Sequence, residues 1–290
     1  LKEFPVKVIL DFFLDLKPDD VFFFYIAFIF YTVAMLFYII YPAAKSKTIA
    51  NIASGLMTFG IIPHTVALIL RWRLAGHSPY SNMFEYMSSM AWMAVVIFAI
   101  FNFKYKKPII GAFVVPICFM LMVSASLMPK EISQQLMPAL QSYWFEIHVS
   151  MAVLAEGAFA VAFGVSLMYL FRNYLTRKNS ASKTAEALPA LEVLDSINYK
   201  AISIGYPLFT IGALFAGAIW ANEAWGTFWS WDPKETGALI VWLFYTAYLH
   251  ARYVKGWSGS KAAWMSIIGF LLALASFFGN MFLGGDHAYL

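Results

Sequence analysis

The side chains with the most scope for chemistry in this 290-residue chain are five histidines, one cysteine and ten tryptophans. Imidazole ligates metals and moves protons near neutral pH. The lone thiol, Cys118, lies in the apolar stretch PICFMLMV, so the chain has no internal disulfide and no Cys-x-x-Cys pair, and does no dithiol chemistry alone. It reads as a small hydrophobe within a helix. The tryptophans gather in WGTFWSWDPKETG, Trp225 to Gly237. Two readings fit that stretch. One is an interfacial aromatic belt running into a helix start, with Asp232 as N-cap, Pro233 at the first helical position and Glu235 closing a capping box. The other applies if the segment is helical: Trp225, Phe228 and Trp229 then fall at i, i+3 and i+4 and share one face. Such a platform suits a flat conjugated ligand, with Trp220 and Trp231 adding ring surface from other directions. Haem is a ligand of this kind, and its iron takes axial imidazoles.

Those residues must be positioned by membrane helices. The chain is 61% hydrophobic and 12% charged, against about 25% charged in ordinary soluble domains. Continuous apolar runs span about 21–41, 48–72, 83–103, 108–127, 143–171, 201–220, 236–254 and 262–283, each near the roughly 20 residues that cross a bilayer as a helix. The pattern predicts one all-α integral membrane domain over residues 1–290, with about eight transmembrane helices. Pro63, Pro116 and Pro207 fall inside runs, where kinks are expected. Residues 1–20 are mixed in charge, so no cleavable signal peptide is expected.

Charge sets the orientation. Thirteen of the twenty lysines and arginines fall on one set of connections, including the polar linker 172–200, and seven on the other. The positive-inside rule puts the richer set in the cytoplasm and both termini outside. This asymmetry accounts for the net charge of +4, and no nucleic-acid surface is expected. The outer face then carries the tryptophan-rich loop 221–235 together with His77, His148 and His287.

The residues WGTFWSWDPKETGALIVWLFYTAYLHAR resemble the tryptophan-rich "WWD" signature of haem-handling proteins, and the DPKET ending is most similar to the CcsA/ResC family of system II cytochrome c biogenesis. RWRLAGHSPYSNMFEY, YWFEIHVSMAVLAEGAFA and FFGNMFLGGDHAYL extend the likeness over most of the chain. The resemblance implies a subunit of the cytochrome c synthase, a haem lyase. In it His148 and His287 ligate the iron of non-covalently held haem b and act as the catalytic pair. Trp225, Gly226, Trp229, Trp231 and Asp232 hold the porphyrin. His250 serves a second haem position whose other ligand comes from a CcsB/ResB-like membrane partner. Implied too are an apocytochrome c bearing Cys-x-x-Cys-His, a thioredoxin-like protein that keeps its thiols reduced, and residence in a bacterial cytoplasmic or thylakoid membrane with the site on the outer side.

Depth arithmetic fits that division. At 1.5 Å per residue, His250 lies about 21 Å below the outer end of its run and His64 about 12 Å below the end of its own. Axial partners should sit level, so His250 finds its partner outside this chain, or hydrogen-bonds a neighbouring helix. His64 reads as structural. Arg71 and Arg73 are open to pairing with haem propionates, or to plain interfacial roles. The competing functions are a membrane b-type cytochrome subunit in quinol electron transfer, which needs paired histidines at matched depth, and a haem transporter with no ligating role.

Overall fold

The computed structural model describes residues 19–179 and 183–283, and all regular structure among them is helical. The chain is an integral membrane helical bundle. Asp19 caps α1 (Asp20–Ala44) by accepting the Phe22 N–H at 2.7 Å. Helix α2 (Lys47–Ala75) stops at Gly76, in the left-handed region at φ +78, where glycine carries no Cβ penalty. After α3 (Met83–Tyr105), a short 3-10 turn, Pro108–Ile110, leads into α4 (Gly111–Leu127). Helix α5 (Tyr143–Lys178) is followed by the short α6 (Lys183–Ala187). Helix α7 (Leu191–Phe209) passes through a π-helical segment, Thr210–Ala216, into α8 (Gly217–Trp225); α9 (Pro233–Lys255) and α10 (Ser260–Leu283) complete the described bundle.

Helix α5 is the axis. It packs against α3, α4, α7, the π segment, α8 and α10, and its row of small residues lets partner backbones come close. A Cβ on Gly157, for example, would sit 3.1 Å from the backbone nitrogen of Ala94 on α3. Helices α1 to α4 pack among themselves on one side, and α9 and α10 pair on the other.

Seven helices among the described residues are long and apolar enough to cross a membrane, and α9 is not one of them. Its ends carry Lys234, Glu235, Arg252 and Lys255, which dilute an apolar middle. It nevertheless runs antiparallel along the apolar α10: Gly237 faces Ser276 near one end, and Tyr245 faces Gly269 in the middle. Helix α7 starts ten residues before the expected run because LEVLDSINYK is amphipathic, burying Leu194 and Ile197. Cys118 is fully buried in α4, a packing thiol.

Arg71 is buried at the end of α2. Nε bonds Glu85 Oε1 at 2.8 Å, and one terminal nitrogen bonds Asp20 Oδ2 at 3.0 Å and the Lys130 carbonyl at 2.7 Å. The other bonds the Glu131 carbonyl at 2.8 Å. This corrects one expectation: a guanidinium spent on knitting α1, α2, α3 and the loop after α4 has no fork left for a ligand carboxylate. Arg73 is exposed and lines no described pocket. Arg71→Met should lower stability in detergent by about 3–5 kcal/mol, since it strands two buried carboxylates. Arg71→Lys should recover little, because an ammonium cannot reproduce the fork; thermal unfolding of both variants checks this.

Candidate functional site

His148, Trp220, Phe228 and Trp229 line one open pocket, whose empty space is about 980 Å³ with the open solvent at its mouth included. Its walls come from the loop before α3 and from α3, α5, the π segment with α8, α9 and α10.

His148 projects from the second turn of α5 and lines the pocket. The π segment fixes its ring. Pro207 removes a backbone donor shortly before Thr210, and the wide turns that follow let the Gly212 carbonyl accept both the Gly217 N–H and His148 Nδ1, the latter at 2.9 Å. Single-turn π insertions recur at functional sites for this reason: they turn a carbonyl out of the ordinary ladder. A carbonyl only accepts, so Nδ1 carries a proton, and in the neutral ring Nε2 then carries the lone pair. That is how ligating histidines are oriented elsewhere. The ring stacks on Trp220, with centroids 5.7 Å apart and planes at 11°. Trp220 is itself buried, its Nε1 donating to the Ala139 carbonyl at 2.6 Å. Two glycines make this approach possible. A Cβ on Gly217 would lie 2.9 Å from His148 Nδ1, and one on Gly212 would run into Met151 and the α5 backbone.

The tryptophan-rich loop is not helical throughout, which corrects the shared-face expectation. Helix α8 ends at Trp225 because Gly226 turns left-handed at φ +81. Phe228 and Trp229 nevertheless line the pocket, brought there by the loop rather than by helical spacing. Trp225 packs edge-on behind Trp220 at 5.8 Å. Trp231 adopts φ +61 and stays 69% exposed, edge-on to Trp229 at 5.6 Å. A bulky residue in the left-handed region costs about 1–2 kcal/mol, and such strain clusters at functional sites. The capping box of α9 holds it there. Glu235 Oε2 accepts the Ser230 N–H at 2.8 Å and the Asp232 N–H at 3.3 Å, and Asp232 Oδ1 accepts the Lys234 N–H at 2.8 Å. The cap reading holds, while of the expected platform Phe228 and Trp229 line the pocket and Trp225 packs against Trp220.

The other histidines separate by environment. His64 is fully buried between Tyr31 Oη at 3.3 Å and Ser88 Oγ at 3.0 Å, so both ring nitrogens already have partners inside the bundle. His77 bonds two carbonyls, of Ser78 at 3.0 Å and Ser133 at 2.7 Å, tying two loops. His250 is exposed on the outer face of α9, in line with Ile240, Leu243 and Val254. His287 lies outside the described residues.

Two ionisable residues in the pocket escaped the sequence reading. Glu156, on α5, accepts a 2.8 Å bond from Tyr86 Oη, and Tyr86 stacks on Phe277 at 4.6 Å. Lys234, read only as part of a cap, lines the same pocket. The signal for Glu156 was available: a carboxylate inside a membrane run is by default a functional candidate.

Residues 80–287 match the family model described as cytochrome C assembly protein. The cytochrome c biogenesis protein CcsA of Prochlorococcus marinus (strain MIT 9301) is 39% identical, with 78% of this chain and 80% of the relative covered. CcsA of Guillardia theta is 36% identical over 84% of this chain and 87% of its own length. Among solved structures, the cytochrome c haem lyase CcmF superposes with a TM-score of 0.68 over 93% of this chain. At 17% identity that likeness speaks to the fold, and this chain spans only 47% of CcmF.

Proposed function

The chain belongs to the cytochrome c assembly protein family, on its CcsA branch, and on that premise we propose that it holds haem in the His148 pocket and presents it to an apocytochrome c. Haem here is the substrate, held without a covalent bond. His148 Nε2 is one axial ligand, and His287 is assigned as the other. Phe228 and Trp229 flank the ring, with Trp220 backing the imidazole. When the two cysteine thiols of Cys-x-x-Cys-His add across the vinyl groups, each sulfur bonds one vinyl carbon and the proton goes to the other. The protein's share is ligation, orientation and exclusion of water. Trp231, exposed beside Trp229, is assigned to contact with the incoming polypeptide, whose histidine displaces one of the two ligands.

His250 is assigned to a second haem position completed by a CcsB/ResB-like partner. Its exposure on an apolar helix face supports this, as does the full occupation of His64. The same occupation weighs against a b-type cytochrome in quinol electron transfer, which would need two intramembrane histidines as a pair. Eight passes, outward termini, an outward-facing pocket and service by a thioredoxin-like reductant complete the proposal.

The observation that carries it is the imidazole of His148, fixed by the Gly212 carbonyl on the wall of a pocket walled by aromatic rings. The test is co-expression with a CcsB-like protein and an apocytochrome c, scoring covalent haem. His148→Ala and His287→Ala should each abolish attachment, His250→Ala should starve it of haem, and Trp229→Ala should reduce it. Undiminished attachment in the first two would refute the ligand assignment.

A further inference from the structure

The pocket wall carries a lysine, Lys234, whose ammonium has no ion pair among the described residues. Lys234 follows the first residue of α9, its backbone engaged in the helix cap and its side chain turned to the pocket. Among the described residues its ammonium makes no side-chain hydrogen bond, and no carboxylate comes within the 4.0 Å of an ion pair. The contact it does make is weak, the Phe277 ring, with the nitrogen 6.0 Å from the centroid. Such a cation–π contact is a small fraction of what an ammonium loses on leaving water.

The carboxylates nearby are partly engaged, and Glu235 Oε1 is buried without a hydrogen-bond partner among the described residues. Asp232 and Glu235 face the backbone N–H groups of the cap. Glu156 shares the pocket, but is held by Tyr86 from α3. Its charge lies beyond ion-pair range of Lys234.

We propose that Lys234 is the carboxylate anchor of this pocket: it pairs with an acidic substituent of the bound ligand, while Glu156 limits how tightly that acid is held. This rests on the haem reading, in which the acid is a propionate. It gives the ring a direction. A propionate edge lies against Lys234, and the vinyl edges lie away from it. Arg71, the more obvious cation in the sequence, is excluded by its four bonds within the fold. Glu156 adds a second function. An anion close to the propionate opposes it, so the product is released more readily than a lone lysine would allow.

The test is binding, not turnover. The purified full-length chain is titrated with haem and with haem dimethyl ester, which keeps iron, ring and vinyl groups but has no free carboxylate. Wild-type protein should prefer haem by about 10- to 100-fold, the range for a charge-assisted contact. Lys234→Gln should lose that preference by binding haem more weakly while binding the ester as before, and Lys234→Arg should keep it. Glu156→Gln, whose amide oxygen still accepts from Tyr86, should widen the preference. Equal wild-type affinity for the two ligands, or an equal loss of both in Lys234→Gln, overturns the anchor and leaves the haem reading standing. A wild-type chain that binds neither ends the haem reading, and the anchor with it.

Discussion

His148→Ala should strip the purified protein of haem. Losing only an outer partner of a metal ligand typically costs about 10–100-fold in affinity, and here the ligand itself goes, together with its stacking on Trp220. The retained haem should fall by more than that range. The side chain lines an open pocket rather than the packed core, so the helices should remain in place and thermal stability should change little. Free imidazole, entering the space the side chain vacates, should restore much of the haem absorption. That rescue separates loss of a ligand from collapse of the site. If the variant keeps its haem and its spectrum, His148 is part of the wall and nothing more.

The second large effect needs no change in ligand chemistry. Gly217→Ala inserts a methyl group 2.9 Å from His148 Nδ1 and 3.1 Å from Cε1. One of them must move. Because α8 is anchored through Trp220 and the Ala139 carbonyl, the imidazole is the softer partner, and its bond to the Gly212 carbonyl breaks as it swings. Haem affinity should fall by about 10–100-fold, as for other lost outer partners, and overpacking should cost about 1–3 kcal/mol of stability. Gly256→Ala is the contrast. Gly256, unlike the helical Gly217, is at positive φ, +62, at the far end of α9, and a Cβ there meets nothing. It should cost about 1 kcal/mol in unfolding and leave haem untouched. Equal haem loss in both variants would mean that the effect is general loosening, not displacement of His148.

Much of this architecture is legible in the chain because membrane burial writes it in long, unbroken signals. Runs at 83–103 and 108–127 differ by at most two residues from Met83–Tyr105 and Pro108–Leu127. The Asp232–Glu235 capping box was readable because its parts are local and their spacing is fixed. Features that depend on contacts between distant segments were not. The π segment arises where α7 and α8 must pass α5 at His148, and the apolar letters of residues 210–216 do not announce it. The rings of Phe228 and Trp229 reach the pocket through a loop broken at Gly226, so helical spacing was the wrong rule for them. Lys234 looked like one member of a cap until α3, α5 and α10 were seen to enclose it.

The central claim is that one haem is gripped through His148. The most direct measurement is the absorption spectrum of the purified, dithionite-reduced chain, recorded for wild type and for His148→Ala with and without imidazole. The account predicts a Soret band with the sharp visible bands of six-coordinate ferrous haem in the wild type, their loss in the variant and their return on adding imidazole. A wild-type protein without a Soret band, or a variant whose spectrum overlays the wild type, would contradict it.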